Sequence, residues 1–304
     1  MKQLNVVVNA THIPRLARKK VVTNLLFYSV CVLIAIMMTL PFIWSFLTSI
    51  RPDREIFQIP MQWIPSQLTI EHYREAFTLV PFGRFFYNSF VIALAGVCLN
   101  LLFGSLGGYA FAKLRFRGRT FLFRMLLMAM MIPPVVVFIP QYIVLVHVPL
   151  FGGNSILGTG GYGLLNSFWG VILPGASGTF AIFLMRQFFM SLPNDLMEAA
   201  RIEGCGEFRI YWQLYLPLTK PALATLAIFT FQAGWNNFLW PLIILNDPNK
   251  ATVQMGLQAF SYNRNTDFGP LMAASCAVMI PIVLIFIYLQ KYFMQGIAFS
   301  GIKE

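Results

Sequence analysis

Long stretches of this chain contain no aspartate, glutamate, lysine or arginine: 21–50, 85–112, 125–185, 221–246 and 268–290. A helix needs about 20 apolar residues to cross the hydrocarbon core of a bilayer, so four of these runs suit one crossing each. The third is too long for one. Gly152, Gly153, Asn154, Gly158, Gly160, Gly161 and Gly163 interrupt it near 147–165 and read as a loop between two crossings. The pattern therefore predicts an all-α integral membrane protein with about six transmembrane helices, at 22–49, 85–112, 121–146, 165–189, 218–245 and 270–291.

Composition agrees. Hydrophobic residues make up 58% of the 304 and charged residues 11%, against roughly 25% in an ordinary soluble domain. The charges that remain orient the bundle. The N-terminus (Lys2, Arg15, Arg18, Lys19, Lys20), the segment Lys113, Arg115, Arg117, Arg119, Arg124, the segment Arg186, Arg201, Arg209, Lys220 and the tail (Lys291, Lys303) hold 16 of the 22 basic residues. The positive-inside rule then places both termini in the cytoplasm. The net charge of +11 is accounted for by topology and by attraction to anionic lipid, and calls for no nucleic acid. The apolar run of the first crossing is too long for a cleavable signal, and Ile50-Arg51-Pro52 is no small-residue cleavage site.

The divisions expected are a basic tail at 1–20, a first crossing at 21–50, an external loop at 51–84, a core at 85–291 and a cytoplasmic tail at 292–304. In the external loop Ile70, Tyr73 and Phe77 recur at helical spacing, which fits a short helix lying on the outer membrane face or packed on the bundle. Arg51, Arg54, Arg74, Arg84 and Arg264 are the external arginines, too scattered to set the charge of a cargo.

Apart from Arg124, Arg186, Lys220 and Lys291 at their ends, the predicted crossings lack Asp, Glu, Lys and Arg, which proton- and ion-driven pumps usually carry inside the membrane. No GxxxxGK[ST] phosphate loop occurs either. The reading is a chain that binds no cofactor, is not itself an ATPase, and takes its energy from elsewhere.

The inner segment 190–217 holds acids as well as bases, and Asp195 with Glu198 has the spacing of a capping box. Gly204 suits a left-handed helix stop, and Glu207 through Tyr215 can form a second helix before Pro217. Two short helices meeting at a glycine make a compact knob on which a soluble partner could dock.

Glu198-Ala199-Ala200, Gly204, Leu214, Leu216 and Pro217 match the EAA-x3-G-x9-I-x-LP loop of bacterial binding-protein-dependent import permeases, with Leu214 where isoleucine is usual. Phe82-Gly-Arg-Phe85, Tyr109-Ala-Phe-Ala-Lys113, Gly234-Trp-Asn-Asn-Phe238 and Gln290-Lys-Tyr-Phe-Met-Gln-Gly296 resemble the carbohydrate, maltose-type branch of that family. The resemblance implies a type I importer permease fold in the bacterial inner membrane. It implies a second permease, two ATP-binding-cassette subunits carrying the ATP and magnesium sites, and an external solute-binding protein. It also assigns the 190–217 loop to coupling and places the C-terminal tail within reach of an ATPase.

For the cargo, Gln232, Asn236 and Asn237 lie about one turn apart in the fifth crossing beside Trp235, a set that suits sugar hydroxyls and an apolar sugar face or that ties helices together. Asn263, Arg264 and Asp267 are placed to meet the binding protein, as the equivalent loop does in relatives. The rival readings are the same architecture importing glycerol phosphates or polyamines, and a non-energised scaffold or channel.

Overall fold

A computed structural model of the chain describes residues 15–60, 63–261 and 267–301. Among these, three helices are long and apolar enough to cross a membrane unbroken. They are α1 (Arg15–Ser49), α3 (Phe82–Lys113) and α13 (Phe268–Gly301). With α2 (Glu71–Leu79) outside the crossings, the rest of the bundle consists of bent or broken segments.

Each break has a chemical cause. α4 (Arg119–Met130) stops before Pro133 and Pro134, which lack N–H donors and push the preceding residue out of helical backbone. The chain re-forms as Pro134–Val146, ending in α5 (Phe138–Val146), bent by 101° from α4. The crossing expected at 121–146 is therefore folded back on itself rather than straight. α6 (Phe168–Ile172) runs into Leu-Pro-Gly and resumes as α7 (Thr179–Ser191), with a 41° bend. α10 (Lys220–Trp235) ends at Asn236, and α11 (Leu239–Ile244) begins three residues on. A continuous helix would drive the Pro241 ring against the Asn237 carbonyl, so the expected 218–245 crossing is divided there. By length and composition the described residues hold up to six spans, the number the charge-free runs imply, if three bent pairs count as one each: the first two above and Glu207–Leu218 with Lys220–Trp235.

Side chains of α3 satisfy the backbone groups that the breaks release, as apolar surroundings require. Asn100 donates to the Gly175 carbonyl at 2.6 Å and accepts from Gly178 N–H at 3.0 Å, bridging the α6–α7 break. Asn88 donates to the Asn249 and Ala251 carbonyls at 2.9 Å, and Ser89 accepts from Val253 N–H, holding the loop that leads into α12 (Val253–Gln258). α3 is thus the central post, about 48 Å long at 1.5 Å per residue and longer than the roughly 30 Å hydrocarbon core.

α3 packs most closely on α7 through small residues. A Cβ placed on Gly104 would stand 2.7 Å from Ala181 Cβ, and one on Gly108 would stand 2.6 Å from Met185 Cβ. Close backbone approach through small residues four apart is the usual means of membrane helix association, where no hydrophobic force separates helix from lipid.

α2, expected to lie on the external side, packs on the bundle against α13. Its buried face is His72 and Ala76, whereas Ile70 and Phe77 are exposed. Polar contacts explain the difference. A His72 ring nitrogen lies 2.8 Å from the Arg51 carbonyl oxygen, and the Tyr73 hydroxyl is 2.9 Å from Ser49 Oγ. Arg51 itself is buried rather than displayed, with its guanidinium 5.1 Å from the Trp44 ring.

Candidate functional site: the knob between α7 and α10

The segment after α7 forms the predicted knob. α8 (Asp195–Ile202) ends in a Schellman motif: Cys205 N–H donates to the Ala200 carbonyl, Gly204 N–H donates to that of Arg201, and Gly204 sits at φ +78°. That left-handed backbone is why glycine is needed at this position. α9 (Glu207–Leu218) follows and then turns by 79° into α10.

Two local expectations are corrected. The N-cap position of α8 is Asn194, one residue before Asp195, and no side chain caps it. The Asn194 Oδ1 is engaged by the Lys113 ammonium instead, so the capping box does not form. α9 does not stop before Pro217 but runs to Leu218, with Ile210–Tyr215 wound as a π-helix. Pro217 supplies no N–H, so the turn before it widens rather than ending.

Of the residues expected to serve in coupling, Glu198, Ala199, Gly204 and Pro217 are exposed, while Ala200, Leu214 and Leu216 are half-buried against the core that contains Tyr109, Phe189 and Tyr215. Exposed Ile202, Phe208 and Trp212 accompany them, the two rings stacked at 6.4 Å. These three were not singled out in the sequence. An apolar residue in a short amphipathic helix gives away its exposure only once the helix faces are known.

The knob is clamped to the C-terminal end of α3. Lys113 Nζ donates to the Leu192 carbonyl and to Asn194 Oδ1, both at 2.7 Å, and lies 5.0 Å from the Tyr215 ring. Tyr109 donates to Glu207 Oε2 at 3.2 Å, and Arg201 forks onto Glu207 Oε1 at 2.8 and 2.6 Å. The Tyr211 and Ser105 hydroxyls are 2.7 Å apart, and Tyr215 donates to the Pro193 carbonyl at 2.8 Å. Tyr109, Phe189, Tyr211 and Tyr215 fill the space between with ring contacts of 5.3–6.5 Å. These contacts join α8 and α9 to α3 and α7.

The amide set of the fifth crossing is split. Gln232 and Asn236 are exposed on the bundle, Asn237 is half-buried at the α10–α11 break, and Asn236 Oδ1 accepts from Gln254 Nε2 at 3.3 Å. Trp235 is not beside them as a ligand surface. It is buried between Phe86 and Phe231, and its Nε1 donates to the Val278 carbonyl at 3.1 Å, which makes it a core residue linking α10 to α13. Asn263 and Arg264 lie outside the described residues. Asp267 is exposed at the start of α13, where its carbonyl accepts from Leu271 N–H. Among the described residues no group of three or more His, Cys, Asp or Glu side chains could hold a metal ion.

Comparison with known proteins places this arrangement. Residues 100–299 match the family model described as "Binding-protein-dependent transport system inner membrane component". The arabinooligosaccharides transport system permease protein AraQ of Halalkalibacterium halodurans is 35% identical over 273 residues, covering 89% of this chain and 93% of the relative. The sn-glycerol-3-phosphate transport system permease protein UgpE of Yersinia enterocolitica is 33% identical over 284 residues, covering 90% and 96%. The crystal structure of a bacterial ABC transporter involved in the import of the acidic polysaccharide alginate has a chain that superposes with a TM-score of 0.75, covering 91% of this chain and 98% of that one. At 24% identity that likeness speaks to the fold. The chain belongs to the binding-protein-dependent family of inner-membrane transport components and is a multi-pass permease subunit of an ABC importer.

Proposed function

We propose that this chain forms one half of the transmembrane pathway of an importer for a sugar or oligosaccharide, paired with a second permease and driven through the 194–217 knob by two ATPase subunits that hold ATP and magnesium. The observation that carries the reading is the knob itself, a two-helix element with exposed Glu198, Ala199, Ile202 and Phe208, fixed to α3 by Lys113 and Tyr109. In this reading both termini are cytoplasmic, as the basic segments favour. An external binding protein delivers the cargo near 263–267. Closure of the ATPase pair pulls α8 and rocks the bundle between inward- and outward-facing states, with Gln232, Asn236 and Asn237 bordering the path.

A carbohydrate cargo is supported by the naming of the arabinooligosaccharide relatives and by the sequence likeness to the maltose-type branch. A glycerol phosphate cargo is the second reading, supported by the relatives named for sn-glycerol-3-phosphate. Purification in mild detergent tests the assembly and should recover a second permease and an ATPase. A ligand screen on the cognate binding protein separates the cargoes. Recovery of the chain alone, with uptake unaffected by its deletion, would contradict the reading.

A further inference from the structure

Between the inner end of α3, the α3–α4 loop and α8 lies a polar cavity of about 770 Å³. Lys113, Arg115, Arg119 and Arg201 line it, with Glu198 and Glu207 as its acids. Glu207 is committed to Arg201 at 2.6 Å, which leaves three cations against one carboxylate. None of those three has an ion-pair partner within 4.0 Å among the described residues. Lys113 is buried and hydrogen-bonds only to a carbonyl and an amide oxygen, and Arg119 donates to the Leu114 carbonyl at 3.0 Å. Arg186, stacked 3.9 Å over the Phe123 ring, adds a further positive charge close to Arg119.

We propose that this cavity binds the phosphodiester headgroup of an anionic glycerophospholipid, which joins the α3–α4 loop to the coupling helix. Three observations select that ligand. The charge surplus suits a phosphodiester, whose oxygens arginine can hold two at a time. The cavity lies where α3 ends and α4 begins, at the level of the lipid headgroups for helices that cross the bilayer. It is also continuous in sequence with exposed Phe121, Leu122, Met125 and Met128 of α4, an apolar surface on which acyl chains can lie. The exposed apolar residues of the knob, Ile202, Phe208 and Trp212, are not among its lining and stay available for a protein partner. Because Glu198 and Arg201 belong to both the cavity and α8, occupancy would stiffen the coupling helix and make its efficiency depend on lipid charge.

The inference deepens the proposed function, yet its test needs neither transport nor ATP hydrolysis, so either can fail alone. The importer is purified with this full chain in mild detergent, exposed to phosphatidylglycerol or to phosphatidylcholine with the same acyl chains, and examined by native mass spectrometry. Phosphatidylglycerol should be retained about tenfold more than phosphatidylcholine. The R115Q/R119Q double variant should lose that preference, since each basic group near a charged lipid surface is worth about fivefold. Arg117→Gln, in the same loop but outside the cavity, should keep it. If the double variant does not accumulate, photolabelling of the natural chain with a phosphatidylglycerol analogue serves instead, with label expected on 112–119 and 197–207. Equal retention of the two lipids, equal loss in Arg117→Gln, or label elsewhere would overturn the proposal. So would full displacement by millimolar inorganic phosphate, which would mark a soluble-anion site. Retention by the permease pair alone, with none in the importer that carries its ATPase subunits, would overturn it too, as a sign of a protein-covered surface.

Discussion

The Lys113 ammonium lies 2.7 Å from the Asn194 side-chain oxygen, across 81 residues of sequence, and this contact ties the last turn of α3 to the start of α8. The ammonium is buried, and its partners are neutral oxygens rather than carboxylates. Hydrogen bonds from a charged donor are worth about 1.5–3 kcal/mol each. Replacing Lys113 with methionine removes the charge and leaves the Leu192 carbonyl and the Asn194 amide without their donor. Amide hydrogen exchange across 192–204 should rise by at least about tenfold, while α3 itself stays protected. Unchanged exchange would mean that the knob is held by its aromatic contacts and tyrosine hydrogen bonds without help from Lys113.

The α3–α7 contact should respond to single carbons. Gly108→Val places a Cβ 2.6 Å from Met185 Cβ and 2.8 Å from the Arg186 nitrogen, and neither backbone can retreat without breaking the helix pair. Overpacking of this kind costs about 1–3 kcal/mol. A lowered thermal midpoint is expected, whereas Gly83→Ala in the same helix, with nothing within 4 Å, should hold or raise it. Fluorescence-monitored unfolding in detergent makes the comparison.

Which parts of this architecture can be read from sequence follows from what each signal measures. Charge-free runs measure apolar length, so the number of crossings was legible, but length carries no direction, and the 101° fold at Pro133–Pro134 was not. Proline in a span announces a break without saying how sharp it will be. The knob was legible because its glycine and its spacing are local. Its anchoring was not, since Lys113 reads along the chain as one more inward-facing charge and only packing shows it buried. Trp235 was misplaced for a related reason: adjacency in sequence put it beside Asn236, but neighbours on a helix point about 100° apart, and its ring turns into the core. Gly104 and Gly108 carried a signal, four residues apart on an apolar helix, that would have located the α3–α7 seam.

The segment 51–84 should show a defined acid response. Glu55 is buried and accepts hydrogen bonds from the Ser66 hydroxyl and, at 3.1 Å, from Ser66 N–H. Those bonds, opposed by burial and aided by Arg54 and Arg51, hold its carboxyl below the ordinary value of 4.5. A carboxyl with a depressed folded-state pKa stabilises the fold above its unfolded value and loses that contribution as pH falls through the folded one. The packing of Trp63 on Trp44, with rings 6.1 Å apart, should therefore persist at pH 4.5 and loosen only below it. In Glu55→Gln the acid transition should vanish. Tryptophan fluorescence over an acid titration reads both.

Trp235 should behave as a packing residue rather than as a cargo contact. Trp235→Phe keeps the ring contacts with Phe86 and Phe231 but loses the bond to the Val278 carbonyl. Stability should fall by about 1–2 kcal/mol while the order of preference among cargoes stays the same. A changed order of preference in competition uptake would return the indole to the pathway.

The most direct measurement of the central claim is binding-protein-stimulated ATPase activity and uptake by the reconstituted importer carrying Glu198→Ala or Gly204→Val. A β-branched residue at φ +78° is strained by at least about 1–2 kcal/mol, which should distort the end of α8 without disturbing the helices that cross the membrane. Both variants should reach the membrane at normal levels. Stimulated hydrolysis and uptake should drop together by at least about tenfold, with the Gly204 variant the more severe. Normal uptake and normal stimulation in both, at normal membrane levels, would contradict coupling through the knob.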